Sequence, residues 1–236
     1  MIRNRKVLWI STAAFVAVEI LMGILLQTVG GRGKAELSFL SIIVACAFCF
    51  VFIEKSAPYV FTQVALIFTV CADYFLVWCD PQVKLTAMVF FSAVQLAYFG
   101  RLWVEDENRR HRIWHVSVRA GLSVLAVVLT LCVLGASADP LAVVSMFYYA
   151  NLITNAVFAF LSGKKNLLVG VGLILFILCD TVIGLSMLGG YITMAPDSFI
   201  YKLIHPGFDL AWAFYLPSQT VLAVSLLPKR IKDLSH

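Results

Sequence analysis

The chain predicts an all-α membrane protein of eight transmembrane helices with both termini in the cytoplasm. Three observations carry that expectation. Its 236 residues are 61% hydrophobic and only 13% charged, whereas a soluble domain is near half apolar and a quarter charged. The mean hydropathy is +0.93. An apolar run recurs eight times, each near the ~20 residues that cross a hydrocarbon core as a helix.

The runs fall at 7–28, 37–54, 58–79, 83–104, 116–135, 140–162, 166–187 and 206–227. Between them stand "GGRGK", "EKSAP", "CDPQ", "VEDENRRHR", "SADP", "SGKK" and "GGYITMAPDS", rich in turn and helix-breaking residues. Backbone groups in lipid must be paired within their own segment, which makes these runs helices. Barrel strands would alternate polar and apolar residues, and these runs do not. The first run follows a basic "MIRNRK". Its apolar part is long, it carries Glu19, and no small-x-small cleavage pattern follows, so a retained helix is expected. The longest polar loop, about 105–115, is too short to fold alone. Residues 1–236 thus read as a single polytopic domain.

Charge sets the orientation. With the N-terminus inside and the helices alternating, 14 of the 18 Lys and Arg fall on the cytoplasmic side. Only Arg32, Lys34, Lys84 and Lys202 fall outside, which is the positive-inside pattern. The net charge of +5 calls for no nucleic-acid partner, because basic loops facing anionic headgroups account for it. The expected setting is a bacterial cytoplasmic membrane.

The six cysteines, 46, 49, 71, 79, 132 and 179, all lie in apolar runs. "CAFC" has CxxC spacing but sits inside a helix without further ligands, so these read as small buried side chains. The histidines, 111, 115, 205 and 236, read as lying outside helices or at their ends, and no HExxH occurs. No zinc site is expected, and no metal or organic cofactor is implied.

Four acids interrupt the apolar runs: Glu19, Asp73, Asp180 and Asp209. A charge at the bilayer centre costs at least ~2.5–3.5 kcal/mol on insertion scales, so such residues face the bundle interior. Asp73 and Asp180 each lie about 15 residues past the inner end of an outward-running helix, roughly 22 Å up at 1.5 Å per residue. Asp209 starts an inward-running helix, and Glu19 lies near the middle.

Other polar residues follow helical spacing. Tyr148, Asn151 and Asn155 form one stripe, Trp212, Tyr215 and Gln219 another, Gln95 and Tyr98 a third, and Glu19, Gly23 and Gln27 a fourth. The economical arrangement lets the stripes converge on one cavity open toward the outer leaflet. Asp73, Asp180, Tyr98, Asn151, Tyr215 and Gln219 are its expected lining. The alternative for each Asn or Gln is an interhelical hydrogen bond worth about 0.6 kcal/mol. A faint repeat, "LIFTVCAD" at 66–73 against "LILFILCD" at 173–180, has an offset of four helices and suggests a 4+4 parallel arrangement. Pro217, deep inside its run, is expected to kink the last helix near Tyr215.

These residues carry a resemblance to the YhhN family of eight-helix membrane proteins, which includes the lysoplasmalogenases. The family's third-helix aspartate is matched by Asp73 in "CADYFLVW", and its next helix loosely by "VQLAY" at 94–98. Its seventh helix is matched by Asp180 in "GLILFILCDTVIGL", and a Tyr and Gln on the last helix by Tyr215 and Gln219. The order and spacing hold over about residues 58–225. Ala72 stands where the family prefers glycine, Cys179 where it prefers serine, and Gln95 where it usually has histidine. The Lys-Pro pair common near its second helix is missing. The Gln95 departure bears on activity more than on fold.

The resemblance implies hydrolysis of the vinyl ether bond of a lysophospholipid, giving a fatty aldehyde and a glycerophospho-alcohol. Such a bond is cleaved by protonating the alkene carbon remote from oxygen. Water adds to the oxocarbenium ion, and the hemiacetal collapses. The site needs a carboxylic acid to give the proton and an anion to stabilise positive charge and orient water. Asp73 and Asp180 are the expected catalytic pair. Glu19, Gln95, Tyr98, Tyr148, Asn151, Asn155, Asp209, Trp212, Tyr215 and Gln219 are expected to bind a lysophospholipid or other single-chain lipid drawn from the surrounding membrane lipids. A transporter or lipid-binding protein is the alternative, because intramembrane acids also mark proton relays and ion sites. A zinc amidase of the ceramidase type is disfavoured by the lack of intramembrane histidines.

Overall fold

A computed structural model describes residues 5–52, 56–79, 82–188, 195, 197–204 and 207–227. The protein is all-helical, with 89% helix and no strand among the described residues. The helices are α1 (Arg5–Leu26), α2 (Gly31–Cys49), α3 (Ala57–Asp73), α4 (Lys84–Glu105), α5 (Arg109–Leu134), α6 (Pro140–Leu161), α7 (Leu167–Leu188), α8 (Phe199–Ile204) and α9 (Leu210–Val224). Among the described residues each of the eight apolar runs is mainly helical, and six helical spans are long and apolar enough to cross a membrane. α2 is excepted because Arg32, Lys34 and Glu36 occupy its first turns, and α9 because it has only 15 residues. The short α8 was not expected; it lies within the connection before the last run.

Local chemistry sets the ends. Asn108 caps α5, its side chain accepting from the backbone N–H groups of Arg110 and His111 at 3.0 and 3.4 Å. α5 therefore begins at Arg109, seven residues before its apolar run, and the expected loop 105–115 is largely helix. His115, expected at a helix end, lies inside α5 and is buried, stacked on Phe158 with ring centroids 3.9 Å apart. Asp139 caps α6 through Ala142 N at 2.7 Å, with Pro140 at the first helical position. Gly135, at φ 51°, ends α5 in a conformation that a side chain would strain.

Two helix pairs pack most extensively, α3 with α4 and α7 with α9. Each has a glycine at its closest approach. A Cβ on Gly100 would meet the Phe61 ring at 2.5 Å, and one on Gly172 would meet Leu222 at 2.7 Å. The Ser218 hydroxyl donates to the Gly172 carbonyl at 2.8 Å across the second contact. Small residues let helices approach where apolar burial gives no driving force against lipid. These are also the pairs that the offset-of-four repeat sets in correspondence. Pro217 lies inside α9, where it cannot donate to the Ala213 carbonyl.

Candidate active site

Asp73 is the last residue of α3, and a single π-helical turn, Tyr74–Trp78, follows it. The turn is closed by Cys79 N donating to Tyr74 O at 2.9 Å. Such widened turns recur at functional sites because they re-aim the side chains around them. Asp73 is 1% exposed, and its Oδ2 accepts from the Tyr215 hydroxyl at 2.6 Å. Asp180, in the middle of α7, is half-buried, and its Oδ2 accepts from the Tyr148 hydroxyl of α6. Among the described residues neither Oδ1 accepts a hydrogen bond, so each carboxyl keeps one oxygen for a ligand.

Both carboxyls and both tyrosines line one cavity of about 730 Å³, within the range of sites for small organic ligands. Phe176 stands between the two tyrosine rings, its centroid 6.3 Å from Tyr148 and 5.3 Å from Tyr215. Trp212 packs edge-on against Tyr215 at 5.1 Å. Leu76, Met88, Phe91, Met146 and Ile183 add apolar wall. Tyr149 and Thr181, one residue beyond Tyr148 and Asp180, share a hydroxyl hydrogen bond of 2.7 Å on the same wall. The pair was not among the expected site residues, although each partner directly follows one that was.

The cavity opens where α2, α4, α6 and α9 begin. Gly31, Lys34, Lys84, Leu141, Asp209 and Ala211 line this end. Lys34 Nζ and Asp209 Oδ2 form an ion pair at 2.5 Å. Asp209 also caps α9 by accepting from Trp212 N at 3.1 Å. Its backbone is held by Gln27, which accepts from Asp209 N at 2.8 Å and donates to Asp209 O at 3.2 Å.

Of the expected binding residues, Tyr148, Asp209, Trp212 and Tyr215 line this cavity, and Gln95, Tyr98, Asn151, Asn155, Gln219 and Glu19 do not. The stripes are real, but they run deeper than the cavity does. Asn155 shares a face with Tyr148 yet lies seven residues, roughly 10 Å, further in. There Asn151 and Asn155 accept from the guanidinium of Arg119, at 2.5 Å for Asn151. Asn155 also donates to the backbone and side-chain oxygens of Gln95, at 2.8 and 3.0 Å. Arg119 sits over the Phe99 ring at 4.4 Å.

Arg101 is likewise buried, donating to Thr62 and Ser225 at 2.9 and 2.6 Å. Counting both arginines with the cytoplasmic charges hid that they lie inside the bundle, where they claim the inner polar residues. Tyr98 and Gln219 are buried away from the cavity. Glu19, 1% exposed, lines a separate groove of about 540 Å³ between α1 and α9 with Gly23 and Gln27. Trp212 forms part of the wall of both. Among the described residues no three His, Cys, Asp or Glu come together to hold a metal ion.

The fold and this site define a class: a multi-pass α-helical membrane protein with two tyrosine-held carboxyls on an interior, largely apolar cavity. Within that class the chain belongs to the YhhN family, whose family model matches residues 32–226. The match takes in both aspartates and every helix but α1. No curated protein matches the chain, and no solved structure does.

Proposed function

We propose that the protein is a lysoplasmalogenase-like hydrolase that cleaves the vinyl ether bond of a lysophospholipid with Asp73 and Asp180. The observation that carries this reading is the sharing of one cavity of about 730 Å³ by two carboxyls, each with a tyrosine partner on Oδ2 and an Oδ1 that accepts no hydrogen bond among the described residues. Membership of the YhhN family fits it. One aspartate delivers its proton to the alkene carbon remote from oxygen, and the other, as an anion, faces the oxocarbenium carbon and orients water. The water adds there and returns a proton to the site. The hemiacetal then breaks its bond to the glycerol oxygen, releasing the aldehyde and the glycerophospho-alcohol. Tyr148 and Tyr215 fix the carboxyls in place, and the aromatic wall holds the alkyl chain and limits water to the reacting end.

On this reading all eight apolar runs cross a bacterial cytoplasmic membrane as one domain, with both termini inside. α2 and α9 complete the crossing with the chain beside them. The cavity opens outward, reached by single-chain lipids of the outer leaflet. The test is aldehyde release from a lysoplasmalogen by purified protein, with a lyso-ester lipid as control. Release from the vinyl ether alone supports the hydrolase. Lipid binding without release supports a lipid-binding or transport protein instead.

A further inference from the structure

Of the four acids within the apolar runs, Glu19 alone lies away from the cavity of the two aspartates. It stands on α1, which falls outside the matched residues 32–226, and it lines the groove between α1 and α9. The side chain is 1% exposed. Among the described residues its Oε1 accepts no hydrogen bond, and it joins no ion pair. An acid within a membrane span is costly and normally has a partner. An amide or a hydroxyl would serve a neutral hydrogen bond there, whereas a carboxyl answers a positive charge.

Depth brings further acceptors to it. Gln27 and Asp209 join α1 to α9 through two hydrogen bonds of 2.8 and 3.2 Å at the end where α9 begins. Counted inward from that contact, Glu19 is eight residues along α1 and Pro217 eight residues along α9, roughly 12 Å in each case. Pro217 has no N–H to give the Ala213 carbonyl. The Thr220 hydroxyl spends its hydrogen on Leu216 O at 2.8 Å and keeps its oxygen as an acceptor. Ala213, Pro217 and Thr220 line the groove with Glu19. The rest of the wall is mostly apolar, with Ile20, Ile24, Phe208, Trp212 and Leu216. A hydrated ion finds no polar shell here, but an alkyl chain finds a bed. From Glu19 to Gln27 that bed runs roughly 12 Å, about ten bonds of an extended chain. Gly23 leaves it open, since a Cβ there would meet only Leu216, at 3.7 Å.

We propose that this groove binds a single-chain primary amine, with its ammonium on Glu19 and its alkyl chain lying between α1 and α9 toward Phe208. The three N–H donors of an ammonium match Glu19, the Ala213 carbonyl and the Thr220 oxygen. A long-chain alcohol brings one donor and no charge, and a quaternary ammonium brings charge and no donor. The site is separate from Asp73 and Asp180 and does not depend on the reaction proposed above.

The test is photolabelling of full-length protein in non-ionic detergent at neutral pH with dodecylamine carrying a mid-chain diazirine, the labelled residues being read by mass spectrometry. Labels should fall within 16–27 and 208–221. Unlabelled dodecylamine should displace the probe at least about tenfold better than dodecan-1-ol, a difference of ~1.4 kcal/mol, and better than dodecyltrimethylammonium. Glu19→Gln keeps the volume and removes the charge, so it should bring amine and alcohol level. Gly23→Leu fills the groove and should remove the labels while leaving Glu19 in place. Equal displacement by amine and alcohol in wild type, a ratio unchanged in Glu19→Gln, or labels spread over the lipid-facing surface of α5 overturns the site. Where Glu19→Gln does not fold, Gly23→Leu decides: labels that persist in it overturn the site, and labels lost from it support the site.

Discussion

The Tyr215 hydroxyl donates to Asp73 Oδ2 at 2.6 Å, tying α9 to the last residue of α3 across 142 positions of sequence. Tyr148 does the same for Asp180 from α6. A strict offset-of-four repeat would pair Asp180 with a tyrosine of α4. Tyr98 of α4 lies elsewhere, so the two carboxyl arms are alike in chemistry but not in origin.

Replacing either aspartate by asparagine should keep the volume and the tyrosine hydrogen bond while removing both acid and anion. General acid–base catalysis contributes ~10²–10⁴-fold, so Asp73→Asn and Asp180→Asn should each lower kcat for aldehyde release by at least ~10²-fold. Glu19→Gln should do much less, because Glu19 lines the α1–α9 groove instead. Turnover that persists in both aspartate variants would remove the mechanism.

The tyrosines should matter through position. A hydrogen bond to a charged group is worth about 1.5–3 kcal/mol, so Tyr215→Phe and Tyr148→Phe should each cut kcat by roughly 10–100-fold. KM should move little, since the rings and their packing on Phe176 remain. Steady-state kinetics on the two variants separate the effects, and an unchanged kcat would deny the tyrosines this role.

The Arg119 cluster should behave as structure. Arg119→Met leaves the Asn151 and Asn155 side-chain oxygens without their guanidinium, at about 1–3 kcal/mol for each stranded acceptor. Thermal unfolding in detergent should therefore occur at lower temperature, with KM of the folded protein unchanged. A raised KM at unaltered unfolding temperature would instead put Arg119 in the lipid site.

Gly172→Val forces a side chain against Leu222, where a Cβ already meets its neighbour at 2.7 Å. Overpacking of this kind costs about 1–3 kcal/mol. Leu222→Ala in the same chain should recover part of the loss, because the two sites touch. Additive losses in the double variant would mean that the helices separate without using the freed space.

Orientation can be read by labelling single cysteines placed at Glu36 and Lys164, both exposed, in a background lacking the native six. The positive-inside count expects an impermeant thiol reagent added from outside to reach position 36 and not 164. The opposite result reverses the topology.

Composition and periodicity alone determined that this chain is a bundle of long apolar helices, where most of them begin to within a few residues, and that Asp73 and Asp180 are exceptional; α2 and α5 begin six and seven residues ahead of their apolar runs, where polar residues extend the helix. That was legible because lipid allows few solutions for a backbone and makes every buried charge costly. Helical spacing also set which residues share a face, as the stripe from Tyr148 to Asn155 shows. Only the tertiary structure decided which stripe residues meet which partner. Depth along a helix and the position of neighbouring helices are invisible to a one-dimensional period. Arg119 drew Asn151 and Asn155 inward, Tyr215 and Tyr148 went to the carboxyls, and Lys34 met Asp209 across 175 residues. A long-range polar pair is chosen by packing, since a buried donor settles on whichever acceptor the helix contacts bring within 3 Å.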